Sequence, residues 1–295
     1  MRKETDKVRR KVFNRQICFF IVLTTVVASI PWLEKFSVNS LIYILLNLVT
    51  LVSAFYCFYF LYGKETIALL CAAMYTLSFF RIYTVSIDSN IAEGVLLAVL
   101  PGVIFSWYQI CSSDRCAFSH VCAILVTLCT AVFWYLSGFV DFLLHGAEDW
   151  HYIYMDTIQD KGLYFVHLCF QFWKNKSVFP ESMNSMIDTA SVGIGFVPMI
   201  GLCLFAALWF GNHLEQGHGL CSLTKFVFIC AIVTMAMSLN IFPWDQLQMT
   251  SLTMYKFIGA IRFPHRFLGW GTLFAVEIYG YVFGCLDISK DKCMR

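Results

Sequence analysis

Residues 47–102 read NLVTLVSAFYCFYFLYGKETIALLCAAMYTLSFFRIYTVSIDSNIAEGVLLAVLPG, and this stretch decides the fold. Its charges are confined to Lys64-Glu65, Arg81, Asp88 and Glu93. Between them lie apolar runs of the roughly 20 residues that a membrane-spanning helix needs. Taken with the residues just before and after it, the stretch predicts three spans, at about 40–62, 66–86 and 91–110. The short polar patches between them serve as turns.

Composition extends that reading to the whole chain. The 295 residues are 59% hydrophobic and 14% charged, with a mean hydropathy of +0.69. A soluble domain carries about 25% charged residues, whereas lipid removes the need for a charged surface. The net charge of +2 gives no electrostatic footprint for nucleic acid. Membrane lipids are the expected partner, and 29 Phe and 14 Tyr suit lipid-facing surfaces and interfacial belts. Among the 13 Cys, residues such as Cys18, Cys71, Cys203 and Cys230 sit singly inside apolar runs. They read as small hydrophobes rather than as a disulfide framework.

Further spans are predicted at about 17–33, 118–139, 191–210 and 222–242, with an eighth at about 267–286 that carries Glu277. The expected fold is therefore all-α, a polytopic transmembrane bundle of about eight helices. A basic leader occupies residues 1–16, the membrane domain 17–286, and a short tail 287–295. The first span follows a long basic leader and ends at Pro31-Trp32 without a small-residue cleavage site, so it reads as a retained anchor. Seven Lys and Arg in the leader place it in the cytoplasm by the positive-inside rule. With eight spans, 13 of the 21 basic residues fall inside and 8 outside, and both termini are cytoplasmic. Residues 140–190 are too polar to cross and form an outer loop. Trp150, Tyr152 and Tyr154 there suit the headgroup level, and the apolar run Leu163 to Trp173 is short enough to be re-entrant.

Several constellations could carry chemistry. Arg81 ends one predicted span and Glu93 opens the next, with Asp88 between them. A charge at the membrane edge is costly unless it pairs or meets water or ligand, so an ion pair that fixes a turn and a binding site explain these residues equally well. In Arg262-Phe263-Pro264-His265-Arg266-Phe267, two arginines four apart share a face if the turn is helical. The guanidinium fork matches phosphate, and helix starts favour anions. Simple snorkelling is the rival explanation, but this is the side where basic residues are fewer. Phe242-Pro243-Trp244-Asp245 reads as a structural anchor. Glu148, Asp149, His151 and Asp156 read as solvated loop charge. Cys111, Cys116, His120 and Cys122 do not match zinc spacing, so no metal site is expected from them. Asn175-Lys176-Ser177 is a glycosylation sequon.

The order of motifs resembles the YfhO-like, GT-C-type group of bacterial membrane proteins, some of them described as related to 6-pyruvoyl-tetrahydropterin synthase. The matching residues are Tyr75, Ser78, Arg81, Glu93, Leu100 and Pro101, then Pro243, Trp244, Phe263, Pro264, Arg266 and Phe267, within about residues 41–286. The resemblance implies a GT-C-like glycosyltransferase of cell-envelope glycan assembly that uses a polyprenyl-phosphate-linked sugar. In such an enzyme Arg262 and Arg266 would contact the lipid phosphate, Arg81 and Glu93 would shape the cavity, and a divalent metal is an optional cofactor. The chain departs from the pattern in two ways. Ala92-Glu93-Gly94 does not keep the Gly-Glu order. The first outer loop, at about 34–40, holds Glu34 as its one acid, so no catalytic base is assigned, and a shortened or inactive member or a fragment is expected. A transporter or flippase for a lipid-linked or anionic solute would carry charges deep in several spans, and few are present. A non-catalytic membrane scaffold is the third reading.

Overall fold

The computed structural model describes residues 38–86, 91–112, 158–159, 162–169, 193–211, 219–251, 254, 258 and 264–293. Helices dominate among these residues, and the one strand-like feature is a parallel bridge between Leu163 and Leu239. In chain order the helices are α1 (Val38–Tyr62), α2 (Glu65–Thr76), α3 (Phe79–Ser86), α4 (Ile91–Ser112), α5 (Phe165–Cys169), α6 (Phe196–Phe210), α7 (Gly219–Ser238), α8 (Trp244–Gln248) and α9 (Leu268–Cys293). A 3-10 turn, Pro264–Phe267, leads into α9.

Most of the predicted spans that fall on described residues correspond to single helices: 40–62 to α1, 91–110 to α4, 191–210 to α6, 222–242 to α7 and 267–286 to α9. The predicted spans 17–33 and 118–139, and most of the outer loop 140–190, lie outside the described residues. One described helix is long and apolar enough to cross a membrane: Leu41–Tyr62, with 22 residues and a mean hydropathy of 2.1. Glu65–Thr76, Glu93–Gly102, Phe196–Phe210 and Leu223–Ser238 are apolar but shorter.

The predicted span 66–86 is interrupted. It forms α2 and α3 on either side of Leu77-Ser78, although no Pro or Gly lies between residues 66 and 86. The tight turn before α2 has an ordinary cause. Gly63 takes the left-handed conformation at φ 65°, and its N–H donates to Tyr59 O at 2.8 Å. This is the usual glycine closure of a helix C-terminus.

Pro101 sits inside α4 without breaking it. Proline has no N–H, so the carbonyl four residues earlier, that of Leu97, loses its helical donor. The Tyr75 hydroxyl of α2 donates to Leu97 O at 2.8 Å and fills the gap. From α1, the Ser53 hydroxyl donates to Ala98 O at 2.6 Å. The conjunction of Tyr75 and Pro101 within one sequence motif thus has a packing reason.

A continuous core joins α1, α2, α4, α6, α7 and α9 and takes in Leu163, Leu168 and Ile194. Ser53 of α1 meets Ala98 of α4, and seven residues further on in both helices Phe60 stacks on Phe105 at 4.8 Å, so the two run parallel. Tyr62 reaches α9 and donates to Glu277 O. The expected re-entrant run is packed into one end of this bundle. Leu163 N–H donates to Ser238 O and Asn240 N–H to Leu163 O, both at 2.9 Å, while Ile194 N–H donates to Leu168 O at 3.2 Å. Gly162 makes the approach possible, since a Cβ there would lie 2.5 Å from Asn240 N.

Among the described residues, polar side chains are buried beside the apolar core and large apolar ones are exposed. Asn47, Thr50, Thr76, Arg81, Glu93, Thr272 and Glu277 are buried, while Leu45, Phe60, Phe196, Phe210 and Phe226 are each more than half exposed. Exposed apolar surface on this scale marks contact with a partner or a membrane.

Candidate functional site

Arg81 lies in the first turns of α3 and is 1% exposed, among the largest fully buried side chains. Its two terminal nitrogens are fully engaged. Nη1 donates to Asn47 Oδ1 at 2.7 Å and to Thr76 O at 3.3 Å. Nη2 donates to Thr50 Oγ1 at 2.6 Å and to Leu46 O at 3.3 Å. All four acceptors are neutral. Asn47 and Thr50 are three apart on α1, so both face the same neighbour. Thr76 is the last residue of α2, where helix carbonyls lack internal donors and carry the negative end of the helix dipole. Arg81 therefore closes α2 from the far side of the break. Phe80 N–H, at the opening of α3, donates to Gly193 O at 3.3 Å. A local side chain, Arg81, thus satisfies one terminal acceptor, and a distant carbonyl, Gly193 O, takes one terminal donor, which lets the helix divide there without proline or glycine.

Glu93 lies in the first turn of α4 and is 4% exposed. A carboxylate at that position is favoured by the helix dipole. Its ion-pair partner is Arg266, with Nε and Oε2 3.8 Å apart and side-chain exposures of 18% for Arg266 and 5% for Glu93. Arg266 stands in the 3-10 turn just before α9, where the positive helix end disfavours a cation, and Glu93 offsets that. The turn on which Arg266 was expected is thus present. This ion pair joins segments far apart in the chain. Arg262 and Asp88 lie outside the described residues. Next to Arg266, burial and then the Arg266 charge push His265 down to about 4, so it is neutral near pH 7.

Trp244 is 3% exposed, which makes it an inward anchor. Its Nε1–H donates to Met237 O at 2.9 Å, and its ring stacks on Phe267 with centroids 5.6 Å apart. Asp245 Oδ1 accepts the Gln159 N–H at 3.2 Å, tying the returning segment to α8. Three of the four residues named from sequence, Arg81, Glu93 and Arg266, thus lie at the bundle end where α1 and α4 begin, α7 finishes and α9 starts. Asn47 and Thr50 were missed. Their one sequence signal is a pair of polar residues at helical spacing within the apolar run of α1.

Among the described residues no three His, Cys, Asp or Glu side chains converge on a point that could hold a metal ion. Glu148, Asp149, His151, Asp156, Cys116, His120, Cys122 and Asn175 lie outside the described residues. No protein-family model matches the chain, and neither does any curated protein or solved structure.

Proposed function

We propose that this chain is a polytopic membrane protein of the GT-C-like type that takes the phosphate of a polyprenyl-phosphate-linked sugar during cell-envelope glycan assembly. The bundle end bearing Arg81, Glu93 and Arg266 would lie on the non-cytoplasmic side of the cell membrane. The exposed large apolar side chains and the chain-wide hydropathy support the membrane reading. The observation that carries the site is the pairing of Glu93 with Arg266 at 3.8 Å across two distant segments. Such a pair presets the guanidinium at a helix start, and the 18% exposure of Arg266 leaves it within reach of a ligand. A phosphate would meet the guanidinium through a charge-assisted fork. Arg81 holds the adjacent helix break and acts on the site by positioning. No residue is assigned as catalytic base.

The test is binding of a labelled polyprenyl phosphate to the purified full chain in nanodiscs. Arg266→Lys keeps the charge but loses the fork, and should weaken binding by about 1.5–3 kcal/mol. Arg266→Ala should abolish it, with abundance and insertion unchanged. Equal binding by wild type and both variants removes the phosphate role.

The interruption between α2 and α3 favours a second reading, a transporter of an anionic solute, because transporters place substrates at discontinuous helices. Uptake of such a solute into proteoliposomes, with no sugar transfer, would select it.

A further inference from the structure

Three buried polar atoms surround the helix break without a hydrogen-bond partner: Thr76 Oγ1, Ser78 Oγ and Arg81 Nε. Their residues are 0%, 5% and 1% exposed. Leaving such groups unpaired is costly, so three within six residues of chain call for a ligand. They are also arranged around one another. Ser78 immediately precedes α3, and its carbonyl accepts the Ile82 N–H at 3.0 Å, which makes it the N-cap. An N-cap serine ordinarily turns its hydroxyl back onto the first helical N–H groups, and this one does not. Arg81 lies three residues further on, on the same face of α3. Thr76 is bonded to Arg81 through its carbonyl.

The chemistry of the three atoms has one sign. Arg81 Nε–H can only donate, and both hydroxyls can donate. They stand at the N-terminus of an eight-residue helix, whose dipole adds positive potential. Every acceptor on Arg81 is neutral, and among the described residues no carboxylate pairs with it. A buried guanidinium matched only by neutral dipoles lacks a countercharge. One negative charge would complete the site electrostatically and occupy all three donors. The near-complete burial of these side chains excludes a bulky headgroup.

We propose that the break between α2 and α3 binds a small monovalent anion of chloride size, held by Arg81 Nε–H, the Ser78 hydroxyl and the Thr76 hydroxyl at the start of α3. This site is separate from the Glu93–Arg266 pair and does not depend on the function proposed above.

The experiment follows thermal unfolding of the purified full chain in detergent, titrating sodium chloride against sodium gluconate at fixed ionic strength. Chloride, and bromide likewise, should raise the wild-type midpoint by several degrees with saturation. Ser78→Ala, a surgical change that spares the Arg81 bonds, should raise the half-saturating chloride concentration roughly tenfold, the effect of one hydrogen bond to a charged group. Arg81→Gln should lose the dependence altogether. Asp88→Asn should keep the wild-type dependence. Identical wild-type midpoints in the two salts would overturn the proposal. So would an unchanged half-saturation in Ser78→Ala, or a chloride effect that arises only in Asp88→Asn, which would make Asp88 the countercharge.

Discussion

His265 stands beside Arg266, and burial and that charge hold it down to about 4. The sign of its effect on stability follows from linkage. The unfolded imidazole takes a proton below about 6.5, whereas the folded one does so only below about 4. Between those values the unfolded state binds more protons, so His265 takes stability away as pH falls through that window and is without effect above it. A His265→Asn chain should therefore lose less stability than wild type between pH 7 and pH 5, by on the order of 1–2 kcal/mol. Thermal unfolding of both proteins at the two pH values measures this, and equal losses would show that the imidazole is freely protonated in the folded state. The neutral His265 also matters for the neighbouring pair. Among the described residues the positive charge of this turn rests on Arg266, and Glu93 is its match.

At the scale of helices, the pairing of Tyr75 with Leu97 O explains how α4 tolerates Pro101. Tyr75→Phe strips the donor from a buried carbonyl and should destabilise the fold by about 1–3 kcal/mol. Pro101→Ala returns a backbone N–H to the same carbonyl. In the Pro101→Ala background the Tyr75→Phe change should therefore cost little, and a double-mutant cycle on unfolding midpoints would reveal the coupling. Additive losses would mean that the Tyr75 hydroxyl stabilises by some other route. The α2–α3 interruption works in the same way. Where the helical ladder is broken, a side chain supplies the missing partner, here Arg81, five residues further on, to Thr76 O.

For the whole molecule, the membrane reading proposed above implies an orientation of the bundle. α4 starts with Glu93 on the side where α1 carries Asn47, ten residues into that helix, and α7 finishes on that same side with Ser238. The opposite end carries Gly63-Lys64 and Gly211. The proposed eight spans would put both chain ends on one side, and the positive-inside rule would make that side the cytoplasm. Reporter fusions at Arg15 and Lys290 should both read as cytoplasmic. Opposite sides for the two would overturn an even count and, with it, the outward placement of Arg266.

What was legible in the sequence is what local chemistry controls. Long apolar runs set where α1, α4, α6, α7 and α9 lie, because burying apolar surface and closing backbone hydrogen bonds within a segment need no distant partner. Arg81, Glu93 and Arg266 stood out singly, since charges at the edges of apolar runs are costly wherever they end up. Which of them meet was not legible. Glu93 chooses Arg266 over its near neighbours, and Arg81 chooses Asn47 and Thr50, because α1, α4 and the turn before α9 come together only in the packed bundle. The division of 66–86 was hidden for the same reason. No residue in it breaks a helix by itself. The backbone groups that the break exposes are met by the Arg81 guanidinium, five residues beyond Thr76, and by Gly193 O, which tertiary packing brings in.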